Sequence, residues 1–428
     1  MSRTKSRYMA SALMLALLAL SSFSMAGGSN QHMAGTPLFV PDSNNNRVLI
    51  YYPPFTTDQS ASYVLGQTNF NTTSAGSTAS TMNAPDALAL DSRGNLWVSD
   101  RLNCRVLEFR TPLMNGLAAS HVIGEPNLST PCANGGSPTQ NVVGQSGGVA
   151  FDSHGNLWVA DMQSSRVLRF SPPFNDGMAA NLVLGQPDFT SGSCNQSSAT
   201  NPPPTRNTLC HPAGLAFDAD GRLWVADSDN NRVLAYQPPF KTNMNASAEI
   251  GQPAATAFTS NTANNPTLSA ASLTQPDAVA VDGQNNLWVA DTGNNRVLRY
   301  KPRCGNREAA TLVLGQPNFT SNATVTPPSA ATLNSPEGLV IDPKAGVFVG
   351  DTLNNRTLLF TSPFHNGMNA EFVLGQLNFT GNSSNQGGTA NEKTQNAPFE
   401  AGPSLLALGV LGGLVTGREF LKRLRSRQ

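Results

Sequence analysis

Gln275-Pro276-Asp277-Ala278-Val279-Ala280-Val281-Asp282, followed after a short turn by Asn286-Leu287-Trp288-Val289-Ala290-Asp291, is the stretch that decides the fold. Two further runs continue it: Asn294-Asn295-Arg296-Val297-Leu298-Arg299-Tyr300, then Thr311-Leu312-Val313-Leu314-Gly315-Gln316-Pro317-Asn318-Phe319. Valine, leucine and aromatics recur with near period-2 alternation, and turn formers at 282–286, 291–295 and 301–306 separate the runs. This spacing predicts four antiparallel strands. One such sheet leaves its faces and edges wet, so it must stack on copies of itself.

The copies are in the chain. The strand-end aspartate recurs at Asp42, Asp100, Asp161, Asp227, Asp291 and Asp351, with neighbours 58, 61, 66, 64 and 60 residues apart. An arginine stands five residues after each: Arg47, Arg105, Arg166, Arg232, Arg296 and Arg356. Three residues before each aspartate is an aromatic: Phe39, Trp97, Trp158, Trp224, Trp288 and Phe348. A Gly-Gln or Gly-Glu pair closes each unit at Gly66, Gly124, Gly185, Gly251, Gly315 and Gly375. Six repeats of a four-stranded unit predict an all-β, six-bladed β-propeller of four-stranded antiparallel blades. A linear stack is the alternative, but twisted sheets close into a ring without capping repeats.

The pattern Pro-x-x-Val-Ala-Val-Asp, then Asn-Leu-Trp-Val-Ala-Asp-x-x-Asn-Asn-Arg-Val, is similar to the NHL repeat family of β-propellers over roughly residues 36–380. The resemblance implies that Val-Ala-Val-Asp is the inner strand beside a central channel and Val-Leu-Gly-Gln the outer strand. It also brings in propeller lyases and lactonases of related form, which hold metal at that channel. Their histidine cluster has no counterpart here. Members that bind RNA would carry a basic face, whereas charged residues are 13% of this chain and the formal net charge is zero. No nucleic-acid partner is expected.

Both ends read as something other than propeller. Arg3, Lys5 and Arg7 precede an apolar run from Met9 to Leu20, and Ser24-Met25-Ala26 is a small-x-small cleavage site. Residues 1–26 therefore read as a signal peptide, and the protein as exported to the periplasm, cell surface or exterior. The tail, 381–428, contains an uncharged, mostly apolar run from Ala401 to Gly417 and then Arg418, Lys422, Arg423, Arg425 and Arg427. That layout resembles a bacterial C-terminal sorting signal of the PEP-CTERM type, with Pro398-Phe399-Glu400-Ala401-Gly402-Pro403 in place of Pro-Glu-Pro. It implies sorting or membrane attachment. A structural reading competes with it. The first unit lacks an inner strand, and Pro403-Ser404-Leu405-Leu406-Ala407-Leu408 matches Pro85-Asp86-Ala87-Leu88-Ala89-Leu90 in phase, so the tail is also a candidate closing strand.

Five cysteines suit an oxidising compartment. Cys194 and Cys210 flank one loop and form the first candidate disulfide; Cys104 and Cys132 form a second, which would leave Cys304 unpaired. The histidines, His32, His121, His154, His211 and His365, fall in different parts of different blades, which argues against a three-histidine zinc site. His211, just before an inner strand, is the one expected near the channel. The Asp/Arg pair recurs in every blade, so a structural role within each turn is expected of it, and the aromatic column is expected to pack blade against blade. Asp91, Asp152, Asp218, Asp282 and Asp342 are expected to cap the inner hairpin turns. No catalytic, cofactor or metal residues are assigned, and no cofactor is expected.

After each Gly-Gln the chain enters a polar insertion, at 72–84, 129–145, 190–210, 253–273 and 320–333. These crossings should share one face with the Asp-x-x-Asn-Asn-Arg turns, and long loops on a rigid face are where binding concentrates. The expectation is an exported, monomeric, non-catalytic propeller binding a protein, peptide or glycan through that face. A metal-dependent lyase or lactonase-like enzyme working at the channel is the alternative.

Overall fold

In a computed structural model the chain is described over residues 36–396, except 131, 133–137, 201, 254–256, 303–304, 307 and 345. The signal peptide, Cys304, the sorting segment and the strand matched at 403–408 all lie outside the described residues.

Every repeat becomes one antiparallel sheet. Strands β1 (Leu38–Asp42), β2 (Arg47–Tyr51) and β3 (Tyr63–Leu65) form a three-stranded first blade. Four strands make each later blade, in sequence order from channel to rim. Blade 2 holds β4 (Pro85–Leu90), β5 (Leu96–Asp100), β6 (Arg105–Phe109) and β7 (His121–Ile123). Blade 3 holds β8 (Ser146–Phe151), β9 (Leu157–Asp161), β10 (Arg166–Phe170) and β11 (Leu182–Leu184). Blade 4 holds β12 (Pro212–Phe217), β13 (Leu223–Asp227), β14 (Arg232–Tyr236) and β15 (Ala248–Ile250). Blade 5 holds β16 (Pro276–Val281), β17 (Leu287–Asp291), β18 (Arg296–Tyr300) and β19 (Leu312–Leu314). Blade 6 holds β20 (Pro336–Asp342), β21 (Gly346–Asp351), β22 (Arg356–Phe360) and β23 (Phe372–Leu374).

The core lies between the blades rather than within them. Six hydrophobic clusters each join one blade to the next. One of them sets Phe348, Leu359 and Leu374 of blade 6 against Leu38, Val40 and Leu49 of blade 1, which makes the architecture a closed ring. The aromatic column supplies the shape-specific part. Trp97 packs edge-on against Phe151 and Phe174 of blade 3, and Trp158 repeats this with Phe217 and Phe240. Each of these tryptophans is fully buried, and burying so large a side chain contributes roughly 2–3 kcal/mol.

The hairpin turns behave as the inner-strand aspartates predict. Asp152 Oδ1 accepts the backbone N–H groups of His154 and Asn156, and its Oδ2 accepts the Trp158 indole at 3.0 Å. These bonds hold the Asp152 carboxyl below its usual range against a burial effect that pushes the other way. The turn therefore also orients the packing tryptophan.

At the loop face the Asp/Arg pair does more than its own turn requires. In all six blades arginine Nε donates to aspartate Oδ2, at 2.6–2.8 Å, between side chains with no exposed surface. Arginine Nη1 donates to a carbonyl of the loop leaving its own blade: Phe70, Leu128, Phe189, Phe258, Phe319 or Phe379. Nη2 donates to two carbonyls of the loop arriving from the preceding blade, Thr78 and Thr81 for Arg105 and Ser269 and Ser272 for Arg296. Aspartate Oδ1 accepts an N–H from the end of that same arriving loop: Asn83, Gly144, Cys210, Thr274, Asn334 or Asn396. One buried ion pair thus fastens two loop crossings per blade.

Blade 1 receives its arriving loop from the far end of the chain. Arg47 Nη2 donates to Asn391 and Thr394, and Lys393 Nζ reaches Asp58 at 3.0 Å. The propeller's contacts therefore run past residue 380 to Asn396. Among the described residues no helix is long and apolar enough to cross a membrane.

Removing one partner of a buried, fully bonded ion pair costs about 3–5 kcal/mol. Arg296→Leu should lower the urea-unfolding free energy by that amount. Arg296→Lys keeps the charge but cannot serve Asp291, Phe319 and Ser269 together, and should still lose about 2 kcal/mol. Losses below about 1 kcal/mol for both variants would show the loop fastening to be dispensable.

Candidate functional site

The inner strands converge on a channel, and the second residue of each inner strand stands beside its loop-face mouth. That column reads Asp86 in β4, Gly147 in β8, Ala213 in β12, Asp277 in β16 and Glu337 in β20. A cavity of about 110 Å³ is lined by all five together with Phe39 of β1. The inner strands come close because the following column is small. A Cβ added at Gly148 would lie 2.6 Å from the Ala213 carbonyl oxygen, and one at Gly214 2.5 Å from that of Asp277.

Three of the five positions are acidic, and this breaks the repeat. Asp277 can be reached from the channel but is ringed by protein. Its carboxyl is pushed up to about 8, first by burial and next by the Asp86 charge from blade 2, against the pull of Arg101. Arg101 occupies the turn after β5 and is buried. The corresponding residue is Ser43, Met162, Ser228, Thr292 or Thr352 elsewhere. The mouth is therefore a small, carboxylate-rich pocket, with the Arg101 charge acting on Asp277, able to hold a proton near neutral pH or to face a cationic group.

His211 stands one residue before β12, at positive φ (47°), and is not among the residues that line this cavity. Its Nδ1 lies 2.5 Å from Asp229 Oδ2, and this hydrogen bond, opposed by burial, raises the imidazole above its ordinary range. Cys210, His211 and Asp229 form the one group of potential metal ligands within 4.8 Å of one another among the described residues. Cys210 is, however, bonded to Cys194, so its sulfur is not a thiolate. Of the remaining histidines, His121 reaches Asp176 at 3.2 Å on the rim of β7, His154 lies in an exposed hairpin turn and His365 is exposed on a distant turn.

The four paired cysteines lie on the loop face. Cys194–Cys210 spans 4.4 Å between Cα atoms and braces the crossing into blade 4; Cys104–Cys132 spans 5.1 Å. Cys104 takes the left-handed position (φ 57°) that Asn46, Asn231, Asn295 and Asn355 occupy in other blades. Those asparagines donate from Nδ2 to a loop carbonyl, that of Thr73, Asn261, Asn322 or Asn382. In blade 2 a covalent bridge stands where those four blades use a hydrogen bond, and blade 3 has Ser165 at this position.

Sequence reading did not find Asp86, Arg101, Asp277 and Glu337. A signal existed: in the column after the inner-strand proline, three of five residues are acidic where the repeat demands only a small or polar side chain.

The sequence profile of the NHL repeat matches residues 209–236 and 273–300, which cover β12–β14 and β16–β18. The chain is thus a six-bladed β-propeller with NHL repeats, matched in its fourth and fifth blades. No curated protein matches it. Among solved structures it is similar to streptogramin B lyase, at 14% identity and TM-score 0.39, covering 69% of this chain and 70% of that one. Virginiamycin B lyase from Staphylococcus aureus is similar at 12% identity and TM-score 0.36, covering 66% and 68%. A chain of the nidogen/laminin complex is similar at 16% identity and TM-score 0.45, covering 79% and 97%. At such levels no residue role passes from them to this chain.

Because the folded-state value of Asp277 is raised, its contribution to stability is complete only below the ordinary carboxylate range, near about pH 4. That contribution is lost as pH rises through about 8. Asp277→Asn removes the loss, so its melting temperature relative to the parent should climb between about pH 5 and pH 9; a flat difference would contradict the buried-carboxyl reading. For His211, NMR titration should give a value above about 6.5, and Asp229→Asn should bring it down.

Proposed function

We propose that this chain is an exported, monomeric, non-catalytic propeller that binds a protein, peptide or glycan through its loop face. The observation that carries the reading is the fastening of every variable crossing to a buried Asp/Arg pair. Loops held this way lose little conformational freedom on binding, which favours affinity. Leu353 (59% exposed) and Leu377 (64% exposed) stand on this face, with Leu102 and Val325, as apolar side chains available to a partner. Two disulfides that brace the same face support export, as does the predicted leader.

A second reading rests on the channel. Asp86, Asp277, Glu337 and Arg101 depart from the repeat, as a unique reactive site would, and this favours a lyase- or lactonase-like enzyme as the alternative. Elemental analysis of the purified protein separates the two: a stoichiometric metal lost in Asp86→Asn would support the channel enzyme.

For the binding reading, the immobilised mature chain should retain a saturable ligand from a panel of envelope proteins, peptides and glycans of its own cell. Leu353→Asp and Leu377→Asp should each weaken that binding at least ~10-fold, while Met114→Asp, outside this face, leaves it unchanged. Equal effects of all three substitutions would remove the loop face as the binding surface.

A further inference from the structure

One edge of the first blade differs from every other. Strands β5, β9, β13, β17 and β21 each have β2-type neighbours on the rim side and an inner strand on the channel side. Among the described residues β1 pairs with β2 alone, leaving its channel-side edge without a strand. Along that edge runs an apolar groove of about 270 Å³, bounded by Leu38 and Phe39 of β1, Leu88 and Leu90 of β4, and Val340 and Ile341 of β20. Leu90 is 42% and Val340 37% exposed, so both apolar side chains that stand most open on the inner strands face this one groove.

The chain is delivered to the mouth of this groove. Asn396 N–H donates to Asp42 Oδ1 at 2.7 Å, as Asn83 N–H donates to Asp100 Oδ1 at 2.6 Å. Asn83 is followed by Ala84 and Pro85, and Pro85 opens the inner strand opposite Asp100. Pro212, Pro276 and Pro336 pair likewise with Asp227, Asp291 and Asp351. Asn396 is followed by Ala397 and Pro398. We propose that the groove is filled by this chain's own continuation, which begins at Pro398 opposite Asp42 and runs antiparallel to β1. This register puts Ala401 opposite Val40 and Phe399 in the column of Asp86, Asp277 and Glu337. It starts five residues before the strand matched at Pro403.

The threading has a directional consequence that bears on the proposed binding face. Every inner strand runs from the loop face to the Asp-x-x-Gly-Asn turns, as β4 runs from Pro85 beside Asp100 to Asp91. A chain threaded along β1 leaves the ring on the face opposite the loops. The rest of the apolar run and the basic end that follow would then hold any attached surface behind the propeller and leave the loop face turned outward.

Cysteine pairs in the full chain, in a Cys304→Ala background, test the register. Val40→Cys with Ala401→Cys should oxidise to a disulfide in more than about half of the molecules, and Val40→Cys with Leu406→Cys in few, given the short Cα separation a disulfide needs. Cross-linking through position 406 alone would overturn the register, and cross-linking of neither pair would overturn the occupancy. Hydrogen exchange supplies an arm that does not depend on mutant folding: amides of β1 should be protected at least ~10-fold more in the full chain than in a chain ending at Asn396. Equal protection would overturn the proposal, whatever becomes of binding at the loop face.

Discussion

The buried aspartate–arginine pair is the constraint on which this propeller depends. Charges placed in a site without exposed surface are costly, and burial does push Asp42, Asp100, Asp227, Asp291 and Asp351 upward despite their arginines. Coulomb attraction alone seldom recovers such a cost. Here the remaining donors and acceptors are met largely by loop backbone on both sides and by an asparagine of the same turn in five blades, so the pair works as a joint among three segments. Polar groups of irregular loops that would otherwise need water gain partners inside the protein. That is how about a dozen to two dozen residues of Ser, Thr, Asn and Gly can cross between blades without secondary structure of their own.

The same logic explains why the ring closes by two different means. Apolar packing joins blade 6 to blade 1, as it joins every other pair of blades. The polar joint joins the end of the chain to its beginning, through Arg47 with Asn391 and Thr394 and through Asp42 with Asn396. Neither depends on an inner strand in blade 1. The tail is thus tied down before the groove begins.

Legibility in the sequence followed chemistry that uses side-chain identity. Six copies of Trp or Phe, Asp, Arg and Gly fix the number of blades, because each copy needs that residue type: a large ring to pack, a carboxylate and a guanidinium to pair, a glycine for positive φ. At Gly185, for example, φ is +85° and a Cβ would meet Leu209 at 2.6 Å. The loop fastening left no such trace, since the arginines bond backbone carbonyls that any residue carries. Each aspartate was expected to work within its own turn, and Asp227 does bond Asn230 and Arg232 there, but its Oδ1 also reaches the preceding crossing at Cys210. The tail shows the same limit. Phase matching of apolar residues selects Pro403, while the hydrogen bond of Asn396 selects the shorter match Asn-Ala-Pro.

What distinguishes this ring from a generic one lies where the repeat is broken, and the two breaks differ in kind. Cys104 replaces an asparagine whose bond to the loop it duplicates, so the change strengthens an existing contact and adds no chemistry. Asp86, Asp277 and Glu337 replace residues that had no polar task, and they gather charge where the inner strands meet. Like charges in a narrow channel oppose folding unless a proton, a cation or Arg101 offsets them. Asp277 shows the first solution, by holding its proton to about pH 8. A carboxylate cluster that folding alone would disfavour is the feature that keeps the channel in contention beside the loop face. The loop face remains the stronger candidate because there rigidity, variation and exposed apolar side chains coincide on one surface.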